Sequence, residues 1–195
     1  PCKKLIAPAM NTRMFENPIL QDNLEKCRHY GMDIIMPDSG RLACGDVGSG
    51  KLPSEEVLVA AILKEIRYEK DMQGLKVLVT AGATQEAIDP VRFISNHSTG
   101  KMGFALAKTA MQRGADVTVV AAHTSAKEPL YVNIRRVSSA ADMFEACKEE
   151  AKTADIIIKA AAVADYTPVE TADNKIKKSD DTMAITCKRT QDILA

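Results

Sequence analysis

The sequence contains no tryptophan, and aromatic residues make up only 4% of its 195 positions. Modules that bind single-stranded nucleic acid usually stack the bases on aromatic side chains, so this scarcity argues against such a module. Lys and Arg together number 26, as do Asp and Glu, so no net charge attracts nucleic acid or an anionic membrane. The composition predicts an ordinary globular protein without a nucleic-acid or membrane partner.

Long apolar runs and paired cysteines are missing as well. The run "VLVAAIL" has seven residues, far fewer than the roughly 20 that a membrane helix needs. The five cysteines are scattered, odd in number and without a C-x-x-C spacing, so they indicate neither a disulfide framework nor a zinc site. We therefore expect a protein of the reducing cytoplasm.

The sequence does contain short apolar strands that alternate with amphipathic helices. Continuous apolar strands between helices indicate a parallel sheet that is covered on both faces. The stretch 71–74 is predicted to link a first domain, 1–70, to a second domain, 75–195. The expected fold class is α/β, with two Rossmann-like or flavodoxin-like segments of mostly parallel sheet. Because the chain begins inside an apolar segment and ends at a helix start, we expect both segments to be truncated pieces of a longer protein.

Capping residues indicate where several helices should begin. Asn17 before a proline, Ser54 before two glutamates, and Ser139 with Asp142 are typical of helix N-termini. By contrast, the glycine-rich stretch 38–53 is predicted to be a long loop.

Parallel sheets bind ligands in the loops that leave the carboxyl ends of their strands. In the second domain such loops follow Ala81, Ala122 and Lys159. The segments "AGATQEAID", "NHSTGKMG" and "AAAVADY" should therefore meet at one edge of the sheet, around a shared ligand. In the first of them Thr84 offers a hydroxyl group, although an ordinary turn after a strand would look the same.

The stretch "SNHSTGKMG", residues 95–103, looks like a phosphate-binding loop but lacks its pattern. Ser95 replaces the first glycine of G-x-x-x-x-G-K-[ST], and Met102 replaces the hydroxyl residue that binds Mg²⁺. Gly100 and Gly103 fit two interpretations. Either they leave backbone N–H groups for an anion at a helix N-terminus, or they let the helix pack tightly on the sheet.

Two later segments also have a functional and an ordinary interpretation. In "AAAVADY" the small side chains leave room for a base or a ribose, and Asp165 could bind Mg²⁺ or a sugar hydroxyl. A packed strand followed by a turn residue explains that segment nearly as well. In "DNKIKKSDD" Lys175 could reach phosphate oxygens, whereas most charge runs of this kind are simply solvated.

In the first domain, Asn11 and Cys44 are the candidate functional residues. Asn11 follows a predicted strand, a position suited to hydrogen-bonding a substrate carboxylate or amide. Cys44 lies in the glycine-rich stretch, which offers little core, so an accessible thiol that donates a proton is plausible there. The ordinary alternative for a single cysteine is inert packing.

These motifs also occur in a specific order. "PAMNTRMFENPILQDNL" followed by "GRLACGDVGSGKLP" resembles the carboxyl-terminal half of phosphopantothenoylcysteine decarboxylases. "VLVTAGATQEAIDPVRFISNHSTGKMG", "AAAVADY", "KIKK" and "QDILA" resemble the amino-terminal part of phosphopantothenate–cysteine ligases. Their fusion in this order is similar to the bacterial bifunctional enzymes of coenzyme A biosynthesis, and the similarity covers essentially the whole chain.

The resemblance implies two reactions. In the ligase reaction, CTP with Mg²⁺ activates 4′-phosphopantothenate as an acyl-cytidylate, and cysteine then displaces CMP to form an amide. In the decarboxylase reaction, an FMN-dependent enzyme converts 4′-phosphopantothenoylcysteine to 4′-phosphopantetheine. The resemblance also implies a homo-oligomer.

The same resemblance assigns roles to individual residues. Asn96 would act in the conversion of the acyl-cytidylate, Lys175 would bind the CTP phosphates, and Asp165 would bind CTP and the metal ion. Cys44 would donate the proton of the decarboxylase reaction, and Asn11 would hold the substrate carboxylate. The other positions assigned to the CTP site are Lys159, Ala160, Ala161, Gln191, Asp192, Ile193 and Leu194.

Some features depart from the family pattern. Lys159 stands where a small or apolar residue is expected, and "RTQDIL" stands where many relatives carry Asn-Pro-Asp. The catalytic histidine and most FMN contacts are expected to precede Pro1, so this piece alone is not expected to decarboxylate.

Two other functions remain as alternatives. One is a nicotinamide-dependent Rossmann oxidoreductase, which is disfavoured because no G-x-G-x-x-G follows the strand predicted at 77–80. The other is a non-catalytic module that binds a flavin or a nucleotide.

Overall fold

A computed structural model describes residues 2–177 and 182–193 of the chain. These residues form two compact units, the first ending at Tyr68 and the second beginning at Glu69. Both units are mixed α/β, and the second contains a parallel sheet, so the predicted fold class is confirmed. Every helix in the described ranges falls short of the length and apolar character that a bilayer crossing requires.

The first unit combines a short parallel pair of strands with a hairpin and three helices in its described part. Its elements are β1 (Lys4–Ile6), α1 (Thr12–Phe15), α2 (Pro18–His29), β2 (Met32–Ile34), β3 (Asp38–Arg41), β4 (Val47–Lys51) and α3 (Glu55–Ile66). Strands β1 and β2 pair in parallel, so the loops that follow them leave the same edge.

The stretch predicted to be a long loop, 38–53, is instead mostly a β-hairpin, so that prediction was wrong. Strands β3 and β4 pair antiparallel within it. A Cβ atom on Gly50 would collide with the Met10 carbonyl, and one on Gly48 would collide with the Thr12 side chain. The glycines therefore allow a close approach of two backbones, and their number does not indicate an irregular loop.

The second unit is built on a four-stranded parallel sheet in the order β10-β5-β8-β9. Its elements are β5 (Lys76–Ala81), β6 (Gln85–Ala87), β7 (Phe93–Ser95), α4 (Lys101–Gln112), β8 (Asp116–Ala121), β9 (Asn133–Arg136), α5 (Ala140–Glu150), β10 (Ile156–Lys159), β11 (Tyr166–Pro168) and β12 (Cys187–Arg189). The pairs β6–β7 and β11–β12 are antiparallel additions beside the sheet.

Apolar side chains cover both faces of this sheet, as the continuous apolar strands predicted. One buried cluster joins α4 to the sheet and includes Val77, Val79, Phe104, Ala107, Met111, Val117 and Val119. The other cluster joins α5 to the sheet and includes Leu78, Val120, Met143, Ala146 and Cys147. The two packed faces leave the carboxyl edge of the strands as the place where loops can form a site.

The predicted capping residues begin their helices. The side chains of Asn17, Ser54 and Ser139 each accept a hydrogen bond from a backbone N–H in the first turn of α2, α3 and α5. Ser139 also forms a capping box with Asp142.

The predicted linker at 71–74 lies within the second unit. The Met72 N–H donates to the Arg113 carbonyl at 3.1 Å, and the Met72 side chain packs against the buried cluster beneath α4. The Arg113 guanidinium also pairs with Asp71. These residues therefore extend the packing of the second unit ahead of β5.

Candidate functional site

The loops that leave β5, β8 and β10 meet at the carboxyl edge of the second sheet, as predicted. The Ala83 N–H, beyond β5, donates to the His123 carbonyl at 2.9 Å. The Ala162 N–H, beyond β10, donates to the Gly82 carbonyl at 2.7 Å. Gly82 has a φ of 84°, and a Cβ atom there would collide with the His123 carbonyl. Backbone contacts therefore hold the three loops together.

Two buried threonine hydroxyls fix the loop that follows β10. The Thr80 Oγ1 accepts hydrogen bonds from the backbone N–H groups of Ala160 at 3.1 Å and Ala161 at 3.2 Å. The Thr84 Oγ1 accepts one from the Ala164 N–H at 2.9 Å. Both threonines are at most 2% exposed. The Thr84 hydroxyl, which the sequence offered to a ligand, thus serves the loop.

Asn96 lies on the exposed surface beside this same loop. Its Nδ2 donates to the Val163 carbonyl at 3.1 Å, and the preceding Ser95 Oγ donates to the Thr84 carbonyl at 2.8 Å. The segments around Asn96 and Asp165 are therefore in direct contact, as the sequence predicted for loops of one site.

The two glycines of the "NHSTGKMG" segment have different structural roles. Gly100 is the N-cap of α4 with a φ of 77°, and it gives the helix no side-chain cap. A Cβ atom on Gly103 would lie 2.6 Å from the Ala81 Cβ and 2.9 Å from the Thr80 carbonyl oxygen, so tight packing explains this glycine. An open cleft of about 550 Å³ lies over the start of the helix and is lined by residues 97–102 and by Ala160.

A second cleft, of about 340 Å³, is lined by residues of β10, of the loop that follows it and of the segment 189–193. We call it the β10 cleft. Six of the residues assigned to the CTP site by resemblance line it. They are Lys159, Ala161, Asp165, Gln191, Asp192 and Ile193. Ala160 lines the neighbouring cleft over α4, and Leu194 lies outside the described residues.

Contacts with the loop after β10 hold the far wall of the β10 cleft, residues 189–193. The Thr190 N–H donates to the Asp165 carbonyl at 2.9 Å, and the Thr190 Oγ1 donates to the Ala164 carbonyl at 2.6 Å. The Lys159 Nζ donates to the Ile193 carbonyl. Lys159 therefore connects the end of β10 to the segment that borders the cleft.

Lys175 does not line the β10 cleft, although its neighbour Ile176 is firmly held. The Ile176 N–H donates to the Asp89 carboxylate at 3.2 Å, and the Arg92 Nη2 donates to the Ile176 carbonyl at 2.7 Å. Arg92 also donates to Asp89 through Nε at 2.9 Å and Nη2 at 2.6 Å. We call Asp89 and Arg92 the Ile176 clamp. It fixes the main chain between Lys175 and Lys177.

Hydrogen bonds stabilise the charged form of the buried Asp89 carboxylate. Burial opposes its charge, but hydrogen bonds from the Val91 N–H, the Arg92 side chain and N–H, and the Ile176 N–H outweigh that effect. The pKa of Asp89 therefore lies well below its usual range. The Asp89 carboxylate therefore stays ionised at neutral pH.

Asp165 is an exposed carboxylate in the β10 cleft and the candidate ligand for Mg²⁺. Within residues 2–177 and 182–193, no three His, Cys, Asp or Glu side chains cluster as a protein-only metal site would require. Mg²⁺ commonly binds through one or two carboxylates together with substrate phosphates and water. A single exposed carboxylate in an open cleft is compatible with that mode of binding.

In the first unit, Asn11 and the hairpin that carries Cys44 belong to one local arrangement. Asn11 is the N-cap of α1, and its Oδ1 accepts from the Met14 N–H at 2.9 Å, so its Nδ2 is left to donate to a ligand. The Met10 N–H donates to the Gly50 carbonyl of β4 at 2.9 Å. Cys44 is exposed in the hairpin turn, with its Sγ 3.7 Å from an Asp46 carboxylate oxygen.

Several residues of the second unit's site were missed by sequence reasoning. Thr80 looks like an ordinary strand residue, and Asp89 and Arg92 look like turn residues. Arg189 and Thr190 lie in a short strand and its end, with no motif to mark them. Asp89 and Arg92 carry opposite charges three residues apart, and side chains at that spacing can form an ion pair, as these two do. That spacing was the only sign of the site that the sequence offered for these residues.

Comparison with known proteins agrees with this arrangement. A family profile described as "DNA/pantothenate metabolism flavoprotein C-terminal domain" matches residues 72–195, well over half of the chain. The chain belongs to this family. A second profile, described as "Flavoprotein", matches residues 2–67, so the two matches follow the two units of the fold.

Curated relatives of this family extend the similarity to nearly the whole chain. The chain is 45% identical over 192 residues to the Coenzyme A biosynthesis bifunctional protein CoaBC of Vibrio vulnificus, covering 97% of this chain and 48% of the relative. It is 45% identical over 200 residues to that of Mycobacterium tuberculosis, covering 100% and 48%. The predicted resemblance is confirmed, and the chain spans about half the length of these relatives.

Solved structures agree with the fold of the second unit. The crystal structure of the C-terminal domain of Coenzyme A biosynthesis bifunctional protein CoaBC superimposes with a TM-score of 0.55 at 44% identity, covering 63% of this chain and 57% of that one. The DNA/pantothenate metabolism flavoprotein from Streptococcus pneumoniae gives a TM-score of 0.56 at 30% identity, covering 62% of each chain.

Proposed function

We propose that the second unit is the part of a CTP-dependent phosphopantothenate–cysteine ligase that binds the nucleotide and processes its acyl adduct. The observation that carries this proposal is the β10 cleft, where the loop after β10, Asp165 and residues 189–193 enclose one volume. Asn96 contacts the same loop through the Val163 carbonyl.

In the proposed reaction, a carboxylate oxygen of 4′-phosphopantothenate attacks the α-phosphorus of CTP, and pyrophosphate leaves. The amine of cysteine then attacks the acyl carbon of the resulting acyl-cytidylate, and CMP leaves with the bond electrons. Small residues such as Ala161 and Ala164 leave room for a base in the cleft. Asp165 would bind the Mg²⁺ ion that travels with the triphosphate, and Mg²⁺ neutralises its developing charge.

We expect CTP with Mg²⁺ to raise the melting temperature of the full-length protein. A ligand at a hundredfold excess over its Kd stabilises the folded state by about 2.7 kcal/mol. The measurement is thermal unfolding with CTP–Mg²⁺, with CTP and EDTA, and with NADH. A shift with NADH and none with CTP–Mg²⁺ would replace this proposal with the nicotinamide-dependent oxidoreductase. Binding of CTP without any turnover would favour the non-catalytic module.

For the first unit we propose a contribution to FMN-dependent decarboxylation of 4′-phosphopantothenoylcysteine. The loops that leave β1 and β2 lie at the same edge of the strand pair, where folds of this kind bind their ligands, so residues 7–11 fit beside a flavin. FMN, when bound, supplies the oxidation of the substrate thiol and the returning hydride. Asn11 would hold the substrate carboxylate until carbon dioxide leaves, and Cys44 would donate a proton to the product carbon.

We expect Cys44→Ser in the full-length protein to release carbon dioxide at a normal rate but to form little 4′-phosphopantetheine. The serine hydroxyl is a much weaker acid than the thiol, so the final protonation slows by a factor on the order of 10². Cys2→Ser is the matched control, since Cys2 is also an exposed thiol of the first unit. Normal product formation by Cys44→Ser would remove Cys44 from this role.

The cellular setting and the assembly state of the protein are part of the same proposal. We propose that it acts in the cytoplasm as a homo-oligomer. All five thiols are unpaired, which suits a reducing compartment. Size-exclusion chromatography with light scattering tests the assembly state.

A further inference from the structure

Arg189 lies in the wall of the β10 cleft, where strand pairing holds its backbone. It pairs with Tyr166 in the register of β11 and β12, and it lines the cleft together with Asp165. The next residue, Thr190, is hydrogen-bonded to the carbonyls of both Ala164 and Asp165. The backbone of Arg189 is therefore attached directly to the segment that carries the proposed Mg²⁺ ligand.

The charge of Arg189 is not used within the described structure. Other arginines of the second unit each pair with a carboxylate, as Arg92, Arg113, Arg135 and Arg136 do. Across residues 2–177 and 182–193, the Arg189 guanidinium forms neither an ion pair nor a hydrogen bond with another residue. An unpaired guanidinium on a cleft wall retains all of its donors for a ligand.

The cleft lining separates into two parts with different chemistry. Ala161, Val163 and Ala164 form an apolar part that suits the flat face of a base. The charged part contains Lys159 and Arg189 next to two carboxylates, and the Lys159 Nζ is already bonded to the Ile193 carbonyl. Of the two cations in this lining, Arg189 is therefore the one whose guanidinium can bind an anion without breaking a described contact.

We infer that Arg189 binds the phosphate chain of the nucleoside triphosphate in the β10 cleft. This inference rests on the proposed ligase function and adds a specific phosphate ligand to it. A planar guanidinium forms paired hydrogen bonds with phosphate oxygens, and the neighbouring Asp165 would hold the Mg²⁺ ion on the same phosphates. Arg189 would determine the affinity for the triphosphate and not the identity of the base.

The test compares three variants of the full-length protein by calorimetric titration with CTP–Mg²⁺. Arg189→Gln removes the charge, and Arg189→Lys keeps the charge but loses the planar pair of donors. Lys188→Gln is the matched control, because it removes one positive charge from the adjacent position of the same strand. Successive strand residues point to opposite faces, and Lys188 does not line the cleft.

We expect Arg189→Gln to raise the Kd for CTP–Mg²⁺ roughly tenfold, as loss of an exposed charge-assisted contact would. Arg189→Lys should have a smaller effect, and Lys188→Gln should stay within about twofold of the unaltered protein. The Kd of the unaltered protein should also rise more steeply with salt than that of Arg189→Gln, because the variant has lost a screened charge contact. CMP, which lacks the β- and γ-phosphates, should show a smaller difference between these proteins.

Equal CTP affinity in Arg189→Gln and the unaltered protein would overturn the inference but leave the proposed ligase intact. Equal losses in Arg189→Gln and Lys188→Gln would also overturn it, since they would indicate a general charge effect. An unaltered protein that binds no nucleoside triphosphate would refute the proposed function and this inference together. If circular dichroism shows that Arg189→Gln does not fold, Arg189→Lys is the deciding variant. An unchanged Kd and an unchanged salt dependence in Arg189→Lys would overturn the inference that Arg189 binds the phosphates.

Discussion

Replacing Asn96 with alanine in the full-length protein is expected to stop amide formation while pyrophosphate release from CTP continues. Asn96 contacts the Val163 carbonyl of the loop that lines the β10 cleft, and we propose that its side chain acts on the acyl-cytidylate bound there. Loss of one such polar group typically slows a reaction step by a factor on the order of 10² to 10³. The acyl-cytidylate should therefore accumulate.

The measurement follows pyrophosphate and the amide product separately in one reaction with CTP, 4′-phosphopantothenate and cysteine. Asn23→Ala is the control, since Asn23 is an exposed asparagine of α2 in the other unit. Ordinary amide yield from Asn96→Ala would refute the role assigned to Asn96. If Asn96→Ala also stops pyrophosphate release, Asn96 acts in nucleotide binding or in the first step instead.

Replacing Asp89 with alanine is expected to release the segment that carries Lys175. Asp89 is buried and accepts the Ile176 N–H, and it also orients the Arg92 guanidinium that holds the Ile176 carbonyl. Without the carboxylate, both contacts to Ile176 are weakened and the segment opens more often. Trypsin should then cleave after Lys175 and Lys177 faster by a factor on the order of 10 or more.

Asp173→Ala is the control for this experiment, because Asp173 is an exposed carboxylate in the same segment. Cleavage rates in Asp89→Ala that match those of Asp173→Ala would show that the Ile176 clamp does not hold the segment.

If Lys175 binds phosphate, Asp89→Ala and Lys175→Gln should both weaken CTP binding. An unchanged affinity for CTP in Lys175→Gln would show that the "KIKK" segment is an ordinary solvated charge run.

The pH dependence of the clamp has a definite sign. The pKa of Asp89 in the folded protein lies below its usual value of 3.8, so the folded state favours the carboxylate. Its contribution to stability is present above that usual value and is lost as the pH falls through the lowered pKa. The protection of Lys175 from proteolysis should therefore persist at mildly acidic pH, tested with an acid-tolerant protease.

The regular elements could be predicted because their signals are local. A capping asparagine before a proline begins α2, and the capping box of Ser139 and Asp142 begins α5. The apolar run of β5 predicted a strand that is buried on both faces. The meeting of the three loops also followed, because parallel strands place their carboxyl ends at one edge.

The remaining features depend on contacts between distant parts of the chain. The Arg92 contact with Ile176 spans 84 residues, and no local pattern relates the two. Strands β11 and β12 have three residues each, too few for their alternation to be detected. The hairpin of β3 and β4 was misread because its glycines signal a turn in sequence but serve close contact with Met10 and Thr12 in the structure.

The hydroxyls of Thr80, in β5, and Thr84, in the loop that follows it, affect how the side chains of the β10 cleft can vary among homologues. The Thr80 and Thr84 hydroxyls accept hydrogen bonds from the backbone N–H groups of residues 160, 161 and 164. None of these bonds involves a side chain of the loop after β10. Homologues can thus exchange those side chains while the route of the main chain is preserved. The long side chain of Lys159, the last residue of β10, reaches the Ile193 carbonyl while these backbone bonds stay in place.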